Sequence, residues 1–308
     1  MIDKKIIMLK DQEIKTQEIC QKYFKEERAL FDTHHLTISD CIFDKGESPL
    51  KECSDISLYN TQLCYKYPLW YCSNVSANEC VWFENARAGV WYSDNVTVKN
   101  SIIKAPKNFR RCRNLILESV DLTDAKETLW HCSGVKLTNV YANGDYFLMD
   151  SENISADGLR IDGKYIFDGV KNVLIRNSKL VTKDAFWNSE DITVYDSYIS
   201  SEYLGWNSKN ITLINCTIDS LQGLCYIDGI KLVNCKLINT TLAFERSVKI
   251  DAEIVNRVES VFDPGSGRIK APEIRELIVS RSAPDQANVQ IDCDKIGKHM
   301  TEPDWSEL

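Results

Sequence analysis

Apolar and polar residues alternate in short bursts along this chain, and the bursts recur. Each opens on Asn, Asp or Gly, runs aliphatic, polar, aliphatic, and reaches a second Asn about two positions later. The openings at Asp55, Asn74, Asn95, Asn114, Gly134, Asn153, Asn172, Asp191, Asn210 and Gly229 are separated by 19, 21, 19, 20, 19, 19, 19, 19 and 19 residues. Two-residue alternation marks a half-buried strand. A fixed period near 20 with a strand in every unit marks a solenoid. In the unit at Asn210, Ile211 and Leu213 flank Thr212; Asn215 then turns the chain, and Cys216 and Ile218 begin a second strand. Asn and Gly suit such corners because they tolerate the left-handed conformation, and asparagines stacked from unit to unit can hydrogen-bond as a ladder.

A third short strand, such as Tyr203 to Trp206, precedes each opening. Three strands per turn predict an all-β, single-domain, right-handed parallel β-helix, since parallel crossovers are right-handed in nearly all cases. The count runs from Leu36-Thr37-Ile38 past Ser247 to Ile250, giving about twelve rungs and a rod about 55–60 Å long at ~4.8 Å per rung. A leucine-rich horseshoe, the competing fold of this period, is excluded: its LxxLxLxxN spacing is missing and no repeat holds a helical stretch. Residues 1–25 are expected to form an N-terminal cap or short helix, 26–280 the β-helix, and 281–308 a C-terminal cap or tail, because solenoid ends need covering.

Composition adds little to the fold but bears on partners. The 308 residues carry a net charge of -8, which argues against non-specific nucleic-acid binding, a property that rests on Lys and Arg neutralising phosphates. The longest apolar run near the N-terminus, Ile6 to Leu9, is too short for a signal-peptide core or a membrane span. The expectation is a cytoplasmic protein with no membrane partner. The twelve cysteines follow the period. Cys53, Cys72, Cys112 and Cys132 lie two residues before an opening, where other units hold Ser93, Ser151, Ser189 and Ser208; Cys80, Cys216 and Cys235 share a position six residues after it. Small residues stacked at one repeat position read as reduced core fillers. No CxxC pair exists, so neither a metal nor a cofactor is expected.

The candidate chemistry lies on one stripe. Five residues before each opening the chain is apolar: Leu50, Leu69, Val90, Phe109, Leu129, Leu148, Phe167, Phe186 and Leu224 point inward. The next position holds Lys51, Trp70, Trp91, Arg110, Trp130, Met149, Asp168, Trp187, Trp206 and Cys225; the one after holds Arg111, His131 and Asp150 among others. Charges this frequent are too costly to bury unpaired in a narrow core, so both positions should face solvent. Asp145, Lys164, Asp184 and Glu127 lie on the same flank. Tryptophan faces with polar edges suit sugars, arginines suit carboxylate or sulfate groups, and His131 beside Asp150 or Asp168 can act as an acid–base pair. The candidate catalytic set is therefore Arg111, His131, Asp150 and Asp168. The candidate binding set is Trp70, Trp91, Arg110, Trp130, Asp145, Lys164, Asp184, Trp187 and Trp206. The competing reading is that stacked tryptophans only brace the ladder and that the charges form a solvent coat.

Stretches such as YPLWYC (67–72), KAPKNFRRC (104–112), ETLWHC (127–132), GDYFLMDSENI (144–154) and YLGWNSKNITLINCTI (203–218) resemble an uncharacterised bacterial family of the pectin-lyase-like superfamily of right-handed β-helices. The resemblance covers about residues 24–280 and implies a fold without an assigned activity. Better-known members of that superfamily cleave or isomerise acidic polysaccharides, but the NTD, Asp-Asp and GHG motifs of the polygalacturonases are missing. Arg268-Ile269-Lys270 matches their RIK signature without its partners. Two functional readings result: binding or processing of an acidic oligosaccharide or polysaccharide, of lyase or hydrolase type, on the central stripe; or a non-catalytic scaffold or protein-interaction module.

Overall fold

A computed structural model describes residues 16–280 and 288–302, and among them there are strands and turns but no α-helix. The strand that follows each opening pairs in parallel with its counterparts one period before and after, as in Ile192↔Ile211↔Ile230. The inward position is fixed by this register: Val96, Leu115, Val135, Ile154, Val173 and Ile192 stack in one buried column. The result is a parallel β-solenoid with one large apolar core along its length and a small separate cluster of Leu242, Phe262 and Ile278 near its C-terminal end.

Along this face fifteen strands stack, from Gln17–Cys20 to Val289–Met300, so the expected twelve rungs are too few. The additional turns sit at the ends. The described part of residues 1–25 is not helical: Gln17–Cys20 pairs with His34–Ser39, and Tyr23–Phe24 with Ile42–Phe43. The rest of that expected cap or short helix lies outside the described residues. Likewise Val289–Met300, expected as a cap or tail, is a strand paired in parallel with Gly267–Ile278. Ile19 and Phe24 at one end, and Ile291, Cys293 and Ile296 at the other, pack on the core. A terminal rung covers the apolar edge of the rung beneath it, which is why these segments join the ladder. Arg268-Ile269-Lys270 falls in the penultimate rung as ordinary alternation: Ile269 is buried, Arg268 pairs with Asp292 at 2.6 Å and Lys270 with Glu253 at 3.1 Å.

The corners are left-handed and repeat in register. At the opening, Asn74, Asn95, Asn114, Asn153, Asn172 and Asn210 all have φ between 53° and 55°, and Asn95 donates to Asn74 at 3.0 Å and Asn114 to Asn95 at 2.9 Å. The inward stripe five residues upstream is left-handed as well, at Phe109, Leu129, Leu148, Phe167 and Phe186. Such a conformation is unfavourable for bulky residues, so core burial must hold it. Gly205 takes the same place in one rung with φ +75°, and a Cβ there would lie 2.7 Å from Ile227 and 2.8 Å from Ile211.

The Cys/Ser column fastens this corner. Ser151 Oγ donates to the Leu129 carbonyl at 2.7 Å and accepts from the Cys132 amide at 2.9 Å; Cys72 Sγ donates to the Leu50 carbonyl and Cys132 Sγ to that of Phe109, both at 3.0 Å. These residues are therefore hydrogen-bonding groups as well as fillers. All twelve cysteines are free thiols, and burial pushes up the thiol pKa of Cys72 to about 12 and those of Cys80 and Cys216 to about 11.

Candidate functional site

The tryptophan stripe divides into two halves of different character. In the first, Trp70 and Trp91 stack face to face with centroids 5.0 Å apart and planes 5° apart. Arg110 lies next in the column, its Cζ 5.1 Å from the Trp91 ring and 4.3 Å from the Trp130 ring. Each indole N–H is used internally: Trp70 donates to the Ala88 carbonyl at 2.6 Å, Trp91 to that of Lys107 at 2.8 Å, and Trp130 to that of Tyr146. Arg110 closes the column by pairing with Glu127 at 2.6 Å, which Lys107 also meets at 3.2 Å. Burial raises the Glu127 carboxyl pKa, but its bonds to Arg110 and Lys107 outweigh that, and the net direction is down. This half is satisfied within the chain. Arg110, expected to recognise a ligand acid, is sandwiched and charge-paired instead.

In the second half, neither Trp187 nor Trp206 donates its indole N–H to any described residue, and Trp187, at 39% exposure, makes no ring contact with another aromatic among them. Trp206 stacks on Tyr226 at 5.0 Å and meets Tyr203 edge-on at 5.7 Å. Between these rungs opens a cavity of about 410 Å³ lined by Tyr165, Lys183, Asp184, Trp187, Tyr203, Trp206 and Gln222. Three of these, Asp184, Trp187 and Trp206, were expected as binding residues. Tyr165, Lys183, Tyr203 and Gln222 were not. Tyr165, Asp184, Tyr203 and Gln222 share a repeat position three residues before the tryptophan stripe: Asp184 pairs in register with Tyr203, and Tyr203 with Gln222. The recurrence of Tyr67, Tyr146, Tyr165 and Tyr203 at that position was the signal that would have found them.

Asp184 is the unusual group here. It is 7% exposed, lines the cavity, and receives no hydrogen bond or ion pair at its carboxylate from any described residue. Burial raises its pKa, opposed by Lys183 and reinforced by Glu202 and Asp168. A buried carboxylate without a partner is costly, and this one stands at a cavity wall.

The other expected residues lie apart. His131 Nδ1 stands 3.8 Å from Asp150 Oδ2, beyond hydrogen-bonding range, in an open groove with Glu152 and Lys171. Arg111 and Asp168 do not line that groove. Burial raises the Asp168 pKa too, with a weak 3.4 Å contact from Asn188. Asp145 and Lys164 border a different shallow groove, where Asp145 Oδ1 accepts from the Lys164 amide at 2.8 Å. The four candidate catalytic residues are thus not assembled around one cavity. Among the described residues no three His, Cys, Asp or Glu side chains are placed to hold a metal ion.

These features define a parallel β-solenoid with one lateral aromatic cavity and a braced aromatic column beside it. The chain belongs to the DUF3737 family of proteins of unknown function, whose match spans residues 17–292. No curated protein matches it. Similar solved structures include PfbA, a surface adhesin of Streptococcus pneumoniae, with 9% identity, 85% of this chain and 84% of that one covered, and a TM-score of 0.31. The A-module of the mannuronan C-5 epimerase AlgE4 of Azotobacter vinelandii has 10% identity, covers 94% of this chain and 87% of its own, and has a TM-score of 0.28. HetL, a pentapeptide repeat protein of Nostoc, has 8% identity, 72% and 91% coverage, and a TM-score of 0.21. Likenesses this distant transfer neither a site nor an activity.

Proposed function

We propose that this protein binds a carbohydrate chain laterally, with its specificity centre in the cavity at Trp187 and Trp206. The observation that carries the reading is the contrast within the tryptophan stripe. Trp70, Trp91 and Trp130 spend their faces and N–H groups inside the chain, whereas Trp187 and Trp206 keep free N–H donors at a cavity wall. Sugars offer apolar C–H faces for aromatic rings and hydroxyls for the indole N–H, Gln222 and Asp184. The sequence resemblance to the pectin-lyase-like superfamily supports the same ligand class.

The scaffold reading has its own support, but in the other half of the stripe, where the Trp70-Trp91-Arg110-Trp130 column braces the rungs. The two readings therefore belong to different residues of one stripe. The test is binding of a panel of neutral, acidic and amino oligosaccharides, followed calorimetrically and by tryptophan fluorescence, with Trp187→Ala and Trp206→Ala beside the parent. Binding that both variants weaken is expected, with Trp187→Ala nearly neutral in thermal stability and Trp206→Ala lowered by the ring contacts it loses with Tyr226 and Tyr203. Silence across the panel, or binding indifferent to both substitutions, would sink the proposal.

A further inference from the structure

The charge around the cavity selects among ligands. Three carboxylates bear on it: Asp184 in the wall, with Glu202 and Asp168 close enough to raise the Asp184 pKa. Lys183 is the one cation in the lining. The arginines that would favour an acidic ligand are elsewhere: Arg110 is held by Glu127, and Arg113 makes a two-pronged pair with Asp94 at 2.7 and 2.6 Å. An acidic sugar entering here would meet a net negative wall.

The remaining lining complements a cation. Tyr165, Trp187, Tyr203 and Trp206 surround the space with aromatic rings, and ring faces attract ammonium groups most strongly where water is excluded. Asp184 supplies a buried counter-charge without a partner of its own. Gln222 donates through Nε2 to Glu245 at 2.9 Å, which leaves its carbonyl oxygen as an acceptor. An ammonium group brings three donors and no acceptor, which match the Asp184 carboxylate and the Gln222 carbonyl oxygen and leave the Trp187 and Trp206 N–H groups for the hydroxyls of the same ligand.

We propose that the cavity takes a cationic alkylammonium group, as carried by an amino sugar with a free amine, with Asp184 as its counter-ion and the aromatic rings as its cage. The sugar part of this inference rests on the carbohydrate reading above, whereas the ammonium part stands on the cavity alone.

Four probes separate the two: a glucosamine tetramer, its N-acetylated counterpart, a uronate tetramer, and tetramethylammonium as a cation without a sugar. The glucosamine tetramer should bind about tenfold or more tighter than the N-acetylated one and weaken with added salt. Asp184→Asn should erase that preference. The comparison between ligands needs only the parent protein, so it stands even where a variant folds poorly. Equal affinity for amine and acetamide, or tighter binding of the uronate, overturns the cationic inference and leaves the carbohydrate reading intact. Binding of tetramethylammonium with no sugar bound overturns the carbohydrate reading and keeps the cationic one. No binding of any probe overturns both.

Discussion

Trp91 and Trp187 occupy the same repeat position, so truncating each to alanine tests the division of the stripe directly. Trp91→Ala removes a parallel stack with Trp70, a cation–π contact with Arg110 and a 2.8 Å hydrogen bond to the Lys107 carbonyl. The stack is worth about 0.5–1.5 kcal/mol, the partly desolvated cation–π contact about 1–2 kcal/mol, and the hydrogen bond about 1 kcal/mol. With the area lost from a half-buried ring, the total is about 3–5 kcal/mol, in the range of buried Trp→Ala changes. Trp187 makes none of these three contacts with described residues, so Trp187→Ala should cost less than about 1.5 kcal/mol. Urea unfolding would measure both. Since long repeat arrays can lose two-state behaviour, native-state hydrogen exchange is the sharper assay: the amides of Tyr92 and Arg111, bonded to the carbonyls of Arg110 and Trp130, should lose protection in Trp91→Ala only. Equal destabilisation by the two substitutions would refute the division, and with it the assignment of Trp187 to a binding role.

Ser151→Ala should cost about 2–4 kcal/mol in urea unfolding, because it orphans the Leu129 carbonyl and the Cys132 amide; Ser151→Cys should recover much of that, and indifference to both would show the column to be filler alone. Under native conditions a thiol reagent should reach Cys20 quickly, with Cys64 and Cys293 more slowly, leaving the buried cysteines to react only after denaturation; rapid native labelling beyond those three would contradict the packing. Because burial raises the Asp184 pKa, the folded state holds that proton more tightly than the unfolded chain, so the penalty of the carboxylate is absent below about pH 4 and grows as pH rises through the raised value. Asp184→Asn should accordingly be more stable than the parent at pH 7 and lose that advantage towards pH 4 in parallel melts; a loss of stability at pH 7 would mean the carboxylate is a structural anchor.

The register of the solenoid was legible because a two-residue side-chain period and a fixed repeat leave one solution: every residue from Leu50 to Phe186 expected to point inward is buried. The ends were not legible. Gln17–Cys20 and Val289–Met300 lack the opening Asn that sets the register elsewhere, and they join the ladder by covering a neighbour's edge, which is a property of the neighbour. Within the stripe the sequence placed Arg110 between Trp91 and Trp130, and Glu127 three residues before Trp130. Reading each as a surface group overlooked that side chains one rung apart face one another before they face a ligand. The site was half visible for a related reason: Asp184 stood out as a charge, but its flanking tyrosines belong to a column that becomes apparent only when repeat positions are compared down the rod.

Such a rod makes a site where its columns are interrupted. A column of like residues satisfies itself, as Trp70 does with Trp91, each stacked on the other with its N–H bonded to a backbone carbonyl, and leaves nothing for a ligand. The cavity lies where two columns are broken in neighbouring rungs. Asp168 precedes Trp187 in one, denying it an aromatic neighbour on that side, and Asp184 interrupts the run between Tyr165 and Tyr203 in the other. Both breaks are carboxylates whose pKa values burial has raised. The ladder on either side cannot relax to fill the gap, because the rungs are held in register by Asn207 donating to Asn188 at 2.7 Å and Asn210 to Asp191 at 2.9 Å. Replacing Asp184 with tyrosine should therefore restore the column and close the cavity, abolishing ligand binding while raising thermal stability. A stable Asp184→Tyr variant that still bound the same ligand would show that the site lies elsewhere on the rod.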